Sequence, residues 1–463
     1  MKVFVYVKKF GKIKEAKIDI SNFAVFVGDN NSGKTYMIQL IYGILNSIEH
    51  MNEFKSDFLI DFKGEVELNE NMYEQLNNDV NCYLEINKND IIKGIFNKEI
   101  NIDTLKVEII PEKKERISIS LEDRLNRQIH LFDDEPDAIE WIKWVNIVHK
   151  KEEKKFYEQD FGFFYKDTEN DKRERKQMLY RELVCFIFGI SQFNKTSALY
   201  LPASRTGILL LYKYFFSERD KNNQFLLNRE QHETILSGSK GNSNDMGLTT
   251  PVYDFLQFLL RYSEEKVMKN NETLINFIQE NLIDGKVENS MGNFVYRQSE
   301  TDAVMPLYLA SSMVNELTPI LMALSNKIQY SYILYDEIET CLHPFKQKEM
   351  ARLLNRLNNN GFKMIVSTHS DTMAAKLNNL FLLSFMDDKK SQKEKLKKLG
   401  LCSDDLLQNK NVKVYQFVND EEGKSVVNEL EFRTTPYVGY DFSMFTESSM
   451  ELYNEAEIIL EDN

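Results

Sequence analysis

Cysteine is scarce in this sequence: 463 residues contain four (Cys82, Cys185, Cys341 and Cys402), and no two of them share a CxxC spacing. That excludes a disulfide framework and a cysteine zinc site, and it reads as a reduced, cytoplasmic chain. Six histidines are spread along the sequence without a ligand cluster, which argues against a metalloenzyme. There is no run of 18 apolar residues, so no segment is expected to span a membrane. The start, MKVFVYVKKFGKIKEAKIDI, alternates like a strand and lacks the unbroken apolar core of a signal peptide. Positive charge is also in deficit. The formal net charge of −14 opposes a protein that coats DNA through clustered lysine and arginine, yet leaves room for a local basic groove. No internal repeat is visible.

Hydrophobic residues make up 42% of the chain and aromatics 12%, enough for a substantial core. Length alone allows about three domains. The most informative stretch is VGDNNSGKTY (27–36), directly behind the apolar run Phe23–Val27. It fits GxxxxGK[ST], a phosphate-binding loop. In such a loop backbone N–H groups wrap phosphates, the lysine neutralises β and γ oxygens, and the hydroxyl holds Mg²⁺. The setting agrees: a short buried strand precedes it, and Met37, Ile38, Ile41, Ile44, Leu45 and Ile48 continue as an amphipathic helix to about Glu49. ATP and Mg²⁺ are therefore the expected ligands, held at Gly28, Asp29, Asn30, Asn31, Ser32, Gly33, Lys34 and Thr35.

Two further strand ends carry polar chemistry. Tyr332–Tyr335 runs into Asp336-Glu337, where one carboxylate can hold Mg²⁺ and the next can polarise an attacking water. After a helix over 345–358, Ile365-Val366 lead into Ser367-Thr368-His369-Ser370, placing a histidine at the end of a third core strand. ALYLPASR (198–205) is a further buried-strand candidate. Between these, β-type runs are expected at Val80–Ile86 and Ile117–Leu121, and residues 137–149 read as a helix with Trp141 and Trp144 as core anchors. KKEEKK (150–155) and 166–177 read as a solvated helical face or arm, 237–251 as a loop, and helices should fill 251–282. VKVYQFV and SVVNELEF suggest a closing hairpin, and the tail from Asp441 a helix.

Taken together, GDNNSGKT, DEIETCLHP and STHS resemble the ABC-type ATPase heads of the SMC and RecF class. They are most similar to the small bacterial AAA-labelled ATPases akin to the overcoming-lysogenisation-defect family. Relatives in phage defence include the ATPase subunits of PARIS, Septu and some retron systems. YLPASRTG (200–207) resembles their Y-[IL]-P-x-x-R stretch, and LASSMVNELTPIL (309–321) stands where their signature motif stands. The resemblance does not reach 50–195.

It implies an α/β P-loop NTPase fold of ABC-ATPase type, with a mostly parallel core sheet, an N-terminal antiparallel β subdomain and a large helical insertion. The domain boundaries expected are 1–135 for the N-terminal lobe, 136–300 for the insertion including the core strand 198–205, and 301–463 for the C-terminal lobe. By position, Thr35 and Asp336 would hold Mg²⁺, Glu337 would be the catalytic base and His369 the γ-phosphate sensor. Ser311 and Ser312 would touch ATP bound to a second copy, giving an ATP-dependent homodimer or higher oligomer. Arg205 is either a phosphate or subunit contact or an ion pair closing the strand end. Two departures stand out. Met313 replaces the glycine usual after the signature serines, and Leu342-His343-Pro344 replaces the D-loop aspartate of transporters. A transporter ATPase is disfavoured because LSGGQ-type sequences are missing.

Two functions then compete. One is an ATP-gated sensor or scaffold in antiphage defence that controls a separately encoded effector, a nuclease or toxin, since the 90 or so residues after His369 are too few for a TOPRIM nuclease. The other is a RecF-like clamp on nucleic acid in repair or recombination.

Overall fold

The computed structural model describes residues 1–51, 54–56, 64–112, 115–124, 141–151, 154–165, 169–190, 196–213, 247–262, 269–290, 293–326, 329–433 and 439–461. The chain opens with β1 (Lys2–Phe10) and β2 (Ile13–Asp19), an antiparallel pair, and then β3 (Phe23–Gly28). Helix α1 (Lys34–Glu49) follows, and β4 (Gly64–Glu67), α2 (Glu70–Phe96) and β5 (Thr104–Ile110) come next. β6 (Glu115–Arg124), β7 (Trp141–Lys151) and β8 (Lys154–Tyr165) join β4 in a separate four-stranded antiparallel sheet, and α3 (Glu169–Phe188) leads to β9 (Thr196–Leu201). Residues 205–213 are helical. α4 (Thr250–Arg261) and α5 (Lys269–Asn281) precede a small sheet of β10 (Gly285–Ser290), β11 (Asn293–Gln298) and β12 (Val304–Pro306). The last third runs α6 (Ser312–Ser325), β13 (Gln329–Tyr335), α7 (Pro344–Asn359), β14 (Lys363–Ser367), α8 (Asp371–Phe385), α9 (Lys389–Lys398), β15 (Val412–Asn419), β16 (Ser425–Leu430) and α10 (Ser443–Glu461).

Nine strands form the central sheet in the order β5-β1-β2-β16-β15-β3-β14-β13-β9. From β15 to β9 every neighbour is parallel, whereas β16 pairs antiparallel with β15 and β1 antiparallel with both β2 and β5. This is the α/β fold expected, a parallel core with an antiparallel N-terminal edge. Phe23–Val27 of β3 and Met364–Val366 of β14 are unbroken apolar runs because both faces are covered. Ala24 and Phe26 of β3, with Tyr332 and Leu334 of β13, face one hydrophobic cluster built on α1, α2 and α3. Phe23, Val25, Val27, Ile333 and Tyr335 face a second cluster built on α4 to α8.

Two local expectations are overturned. Val80–Ile86 is not a strand but the middle of α2, which carries Tyr73, Leu76, Val80 and Leu84 on its buried side and starts at an Asn69 cap accepting from Met72 N. Residues 141–149 are not helical: they lie in β7, in register with Ile117–Arg124 of β6 and with β8. The charged residues Lys150, Lys151, Lys154 and Lys155 accordingly sit at strand ends rather than on a helix. The side chains of Trp141 and Trp144, and the loop positions 237–246, lie outside the described residues. The hairpin β15–β16 and the tail helix α10 are present as read.

Candidate functional site

Parallel strands end together at one edge of the sheet, and the polar residues sit on those ends. Phe26 of β3 is in register with Ser367 of β14, and Val366 with Tyr335 of β13. The turn after β3, the turn after β13 and the segment 367–370 are therefore neighbours. Glycine is required in the first turn. Gly28 has φ 120°, and a Cβ there would lie 2.1 Å from the Phe417 carbonyl oxygen of β15. Gly33, at φ 95°, caps α1, where a Cβ would press on Ile13 at 3.0 Å. Both positions are strained for any other residue.

The loop closes on its own lysine. Lys34 Nζ donates to the carbonyls of Gly28 (3.0 Å) and Asp29 (2.6 Å) and to Ser32 Oγ (3.3 Å), while Ser32 Oγ donates to the Asp29 carbonyl. Burial pulls the Lys34 ammonium down to about 8, against the opposing pull of Asp336, Asp29, Glu337 and Glu339. An anion entering the loop would restore the charge that burial penalises. Residues outside the motif hold the loop in place. Asp29 N donates to the Phe417 carbonyl (3.0 Å), and the Asn419 backbone N donates to Asp29 Oδ2 (2.8 Å).

Asp336 is buried. Ser367 Oγ donates to its Oδ1, Tyr200 OH reaches its Oδ2 at 3.4 Å, and its own N donates to the Leu201 carbonyl. Glu337 is half-buried at φ 46°, with its N bound to Ser367 Oγ (2.8 Å). Burial, then the neighbouring Asp336 and Glu339, push its carboxyl above the ordinary range. His369 is half-buried, and burial followed by the Lys34 charge lowers its pKa, so its imidazole is neutral near pH 7. Sequence reasoning stopped at Asp336-Glu337 and missed Glu339, whose Oε1 accepts from His369 N at 2.6 Å while Oε2 is buried without a hydrogen bond. The one signal available was a second glutamate in DEIET.

Arg205 belongs to the scaffold. It is fully buried, ion-paired with buried Glu316 and stacked 4.4 Å over the Tyr335 ring. Its guanidinium donates to the carbonyls of Pro202 (2.8 Å), Asp336 (2.7 Å) and Glu337 (3.0 Å). The ion pair with Glu316 lies at the end of β9, and Arg205 has no exposed surface in the single chain. Ser311 and Ser312 are not drawn into the cluster. They are exposed at the start of α6, where Ser311 Oγ accepts from Val314 N as the cap. Met313 turns toward the second hydrophobic cluster.

Thr35 and Asp336 are the residues that could share a divalent ion; Thr35 is half-buried and its hydroxyl makes no hydrogen bond among the described residues. Among those residues no group of three or more His, Cys, Asp or Glu is arranged to hold a metal by itself. An ion there would complete its shell with water and ligand phosphates, as Mg²⁺ does. No helix of the described residues is long and apolar enough to cross a membrane.

Comparison with known proteins adds one assignment. The sequence profile of the AAA ATPase domain matches residues 1–374, and no curated protein matches. Among solved structures, the chain is similar to an SMC head bound to the C-terminal winged-helix domain of ScpA (12% identity, 93% of this chain and 97% of that one, TM-score 0.36). It is also similar to the SMC head domain from Thermotoga maritima (12%, 93% and 100%, 0.32). A third is an SMC head with an extended coiled coil bound to the C-terminal domain of ScpA, derived from Pyrococcus furiosus (11%, 98% and 98%, 0.33).

Proposed function

Because the chain belongs to the AAA ATPase domain family, we propose that it hydrolyses ATP at the joint ends of β3, β13 and β14. In this reading it dimerises around ATP and uses the bound state to hold or release a separately encoded effector in antiphage defence. The observation that carries the proposal is the convergence of Lys34, Asp336, Glu337 and His369 on one sheet edge. There the Lys34 ammonium is in electrostatic reach of all three acidic residues of the 336–339 turn.

The N–H groups of 28–35 and Lys34 bind the phosphates. Thr35 and Asp336 hold Mg²⁺, which supplies charge neutralisation at the phosphates when bound. Glu337, with its raised carboxyl, accepts a proton from the attacking water. Neutral His369 contacts the γ-phosphate. Exposed Ser311 and Ser312, at a helix N-terminus, are available to the nucleotide of a second copy. The defence role rests on the resemblance of the motif set.

Calorimetry tests the core of the proposal: Lys34→Ala should abolish ATP binding, and unchanged affinity would overturn it. A RecF-like clamp is favoured by one feature, the lysine-rich helix α9, and salt-dependent DNA binding would support it.

A further inference from the structure

The tail helix α10 packs Met444 and Phe445 of its first turn against the second hydrophobic cluster, but its later turns are exposed. Residues 450–459 are all exposed, and Met450, Leu452, Tyr453, Ile458 and Ile459 are 57 to 64% accessible. Leu452, Tyr453, Ala456 and Ile459, at spacings i, i+1, i+4 and i+7, make one apolar stripe. Glu451 and Glu455 run beside it, and the helix contains five glutamates and neither lysine nor arginine. In proteins a helix draws most of its stability from tertiary packing of its apolar face. Such a face calls for a cover. A second α10 is a poor one, because it would set glutamate against glutamate.

The complementary surface is in the same chain. α9, KKSQKEKLKK, has six lysines and one glutamate in ten residues. Its lysines are exposed, and among the described residues none is ion-paired. Several lysines elsewhere are matched, as Lys9 is by Asp103, Lys14 by Asp420 and Lys424 by Glu422. Leu399, 61% exposed, closes the C-terminal end of α9 and offers apolar contact. Within one copy α10 does not cover it, since residues 450–459, the α9 lysines and Leu399 are all exposed.

We propose that α10 of one copy docks along α9 of a second copy, with Leu452, Tyr453 and Ile459 against Leu399 and the glutamates against the lysine row. The contact needs no nucleotide, so it is distinct from the ATP-dependent dimer and survives failure of that reading. Light scattering on the full-length chain and on Lys34→Ala, both without nucleotide and at low salt, should give a mass of at least two copies that falls with added salt. Leu452→Asp with Ile459→Asp, and separately Lys393→Glu with Lys397→Glu, should each reduce the mass to one copy with the circular dichroism spectrum retained. Adding Glu451→Lys and Glu455→Lys to the lysine reversal should restore assembly. A wild-type chain that stays monomeric, reversals that keep the wild-type mass, or a swap that fails to restore it would overturn the proposal. So would loss of oligonucleotide binding as the only effect of the lysine reversal, which would assign α9 to nucleic acid.

Discussion

Glu337 sits at φ 46°, a left-handed backbone that costs a non-glycine residue about 1–3 kcal/mol. It persists because both sides of the residue are tied down: Ser367 Oγ takes the N–H, and Arg205 and Thr340 donate to the carbonyl. If it is the base, Glu337→Gln should bind ATP and lose about 10²–10⁴ in kcat, the usual contribution of a positioned base; near-normal steady-state turnover would remove it from that role. Glu339 acts on this group through charge. Its carboxylate is one of the two that raise the Glu337 pKa, so turnover should fall as pH drops through that raised value. Glu339→Gln removes the charge but keeps an acceptor for His369 N, and the acid limb of the kcat profile should move to lower pH. Glu339→Ala also releases His369 N and should lower kcat at every pH. A limb that stays in place in the Gln variant would deny the electrostatic link. The partnership was not legible in the sequence, because it joins residues 30 positions apart and forms only when β13 and β14 lie side by side.

Among the elements, those whose pattern is local were readable. The strand, glycine turn and helix of 23–49 are fixed by one buried run, two obligatory glycines and a regular apolar stripe. Non-local pairing decided the others. VNCYLEI (80–86) alternates like a strand, but the stripe that matters spans Tyr73 to Ile95 and packs as one long helix. DAIEWIKWVNIVH carries a helical spacing of apolar residues, yet β6 and β8 on either side hold residues 141–149 extended. Arg205 is the tie among elements that no spacing announces, joining the β9 end, the turn after β13 and α6. Removing one partner of a buried ion pair leaves the other uncompensated, at a cost of about 3–5 kcal/mol. Arg205→Met should therefore lower unfolding stability by that amount in urea titration. Adding Glu316→Leu should recover much of it, because the stranded carboxylate is gone. Equal stability of Arg205→Met and wild type would mean that the pair does not hold the strand ends.

For the whole molecule, the acidity and the uneven placement of lysine set the two functional readings apart. Contacts to phosphate release counterions, and a protein making 6–10 of them loses about 10³–10⁵ in DNA affinity between 50 and 200 mM salt. A chain with a net charge of −14 can meet that demand only through a patch such as α9. On the sensor reading, the purified protein hydrolyses ATP slowly, below the enzyme median of about 10 s⁻¹. Met313 replaces the glycine that would let the backbone approach the opposite phosphate, and its side chain packs, partly buried, against the second hydrophobic cluster. A slow cycle suits a switch, since a long-lived ATP state can retain a partner until a trigger opens it. Turnover should then be indifferent to duplex DNA, neither DNA nor RNA should be cleaved, and the product of the neighbouring gene should co-purify with Glu337→Gln in ATP but not with Lys34→Ala. On the clamp reading, DNA raises turnover, binding falls steeply with salt, and Lys393→Glu with Lys397→Glu flattens that dependence. Steady-state ATPase rates with and without DNA at two salt concentrations decide between them, and plasmid degradation that survives Lys34→Ala would defeat both.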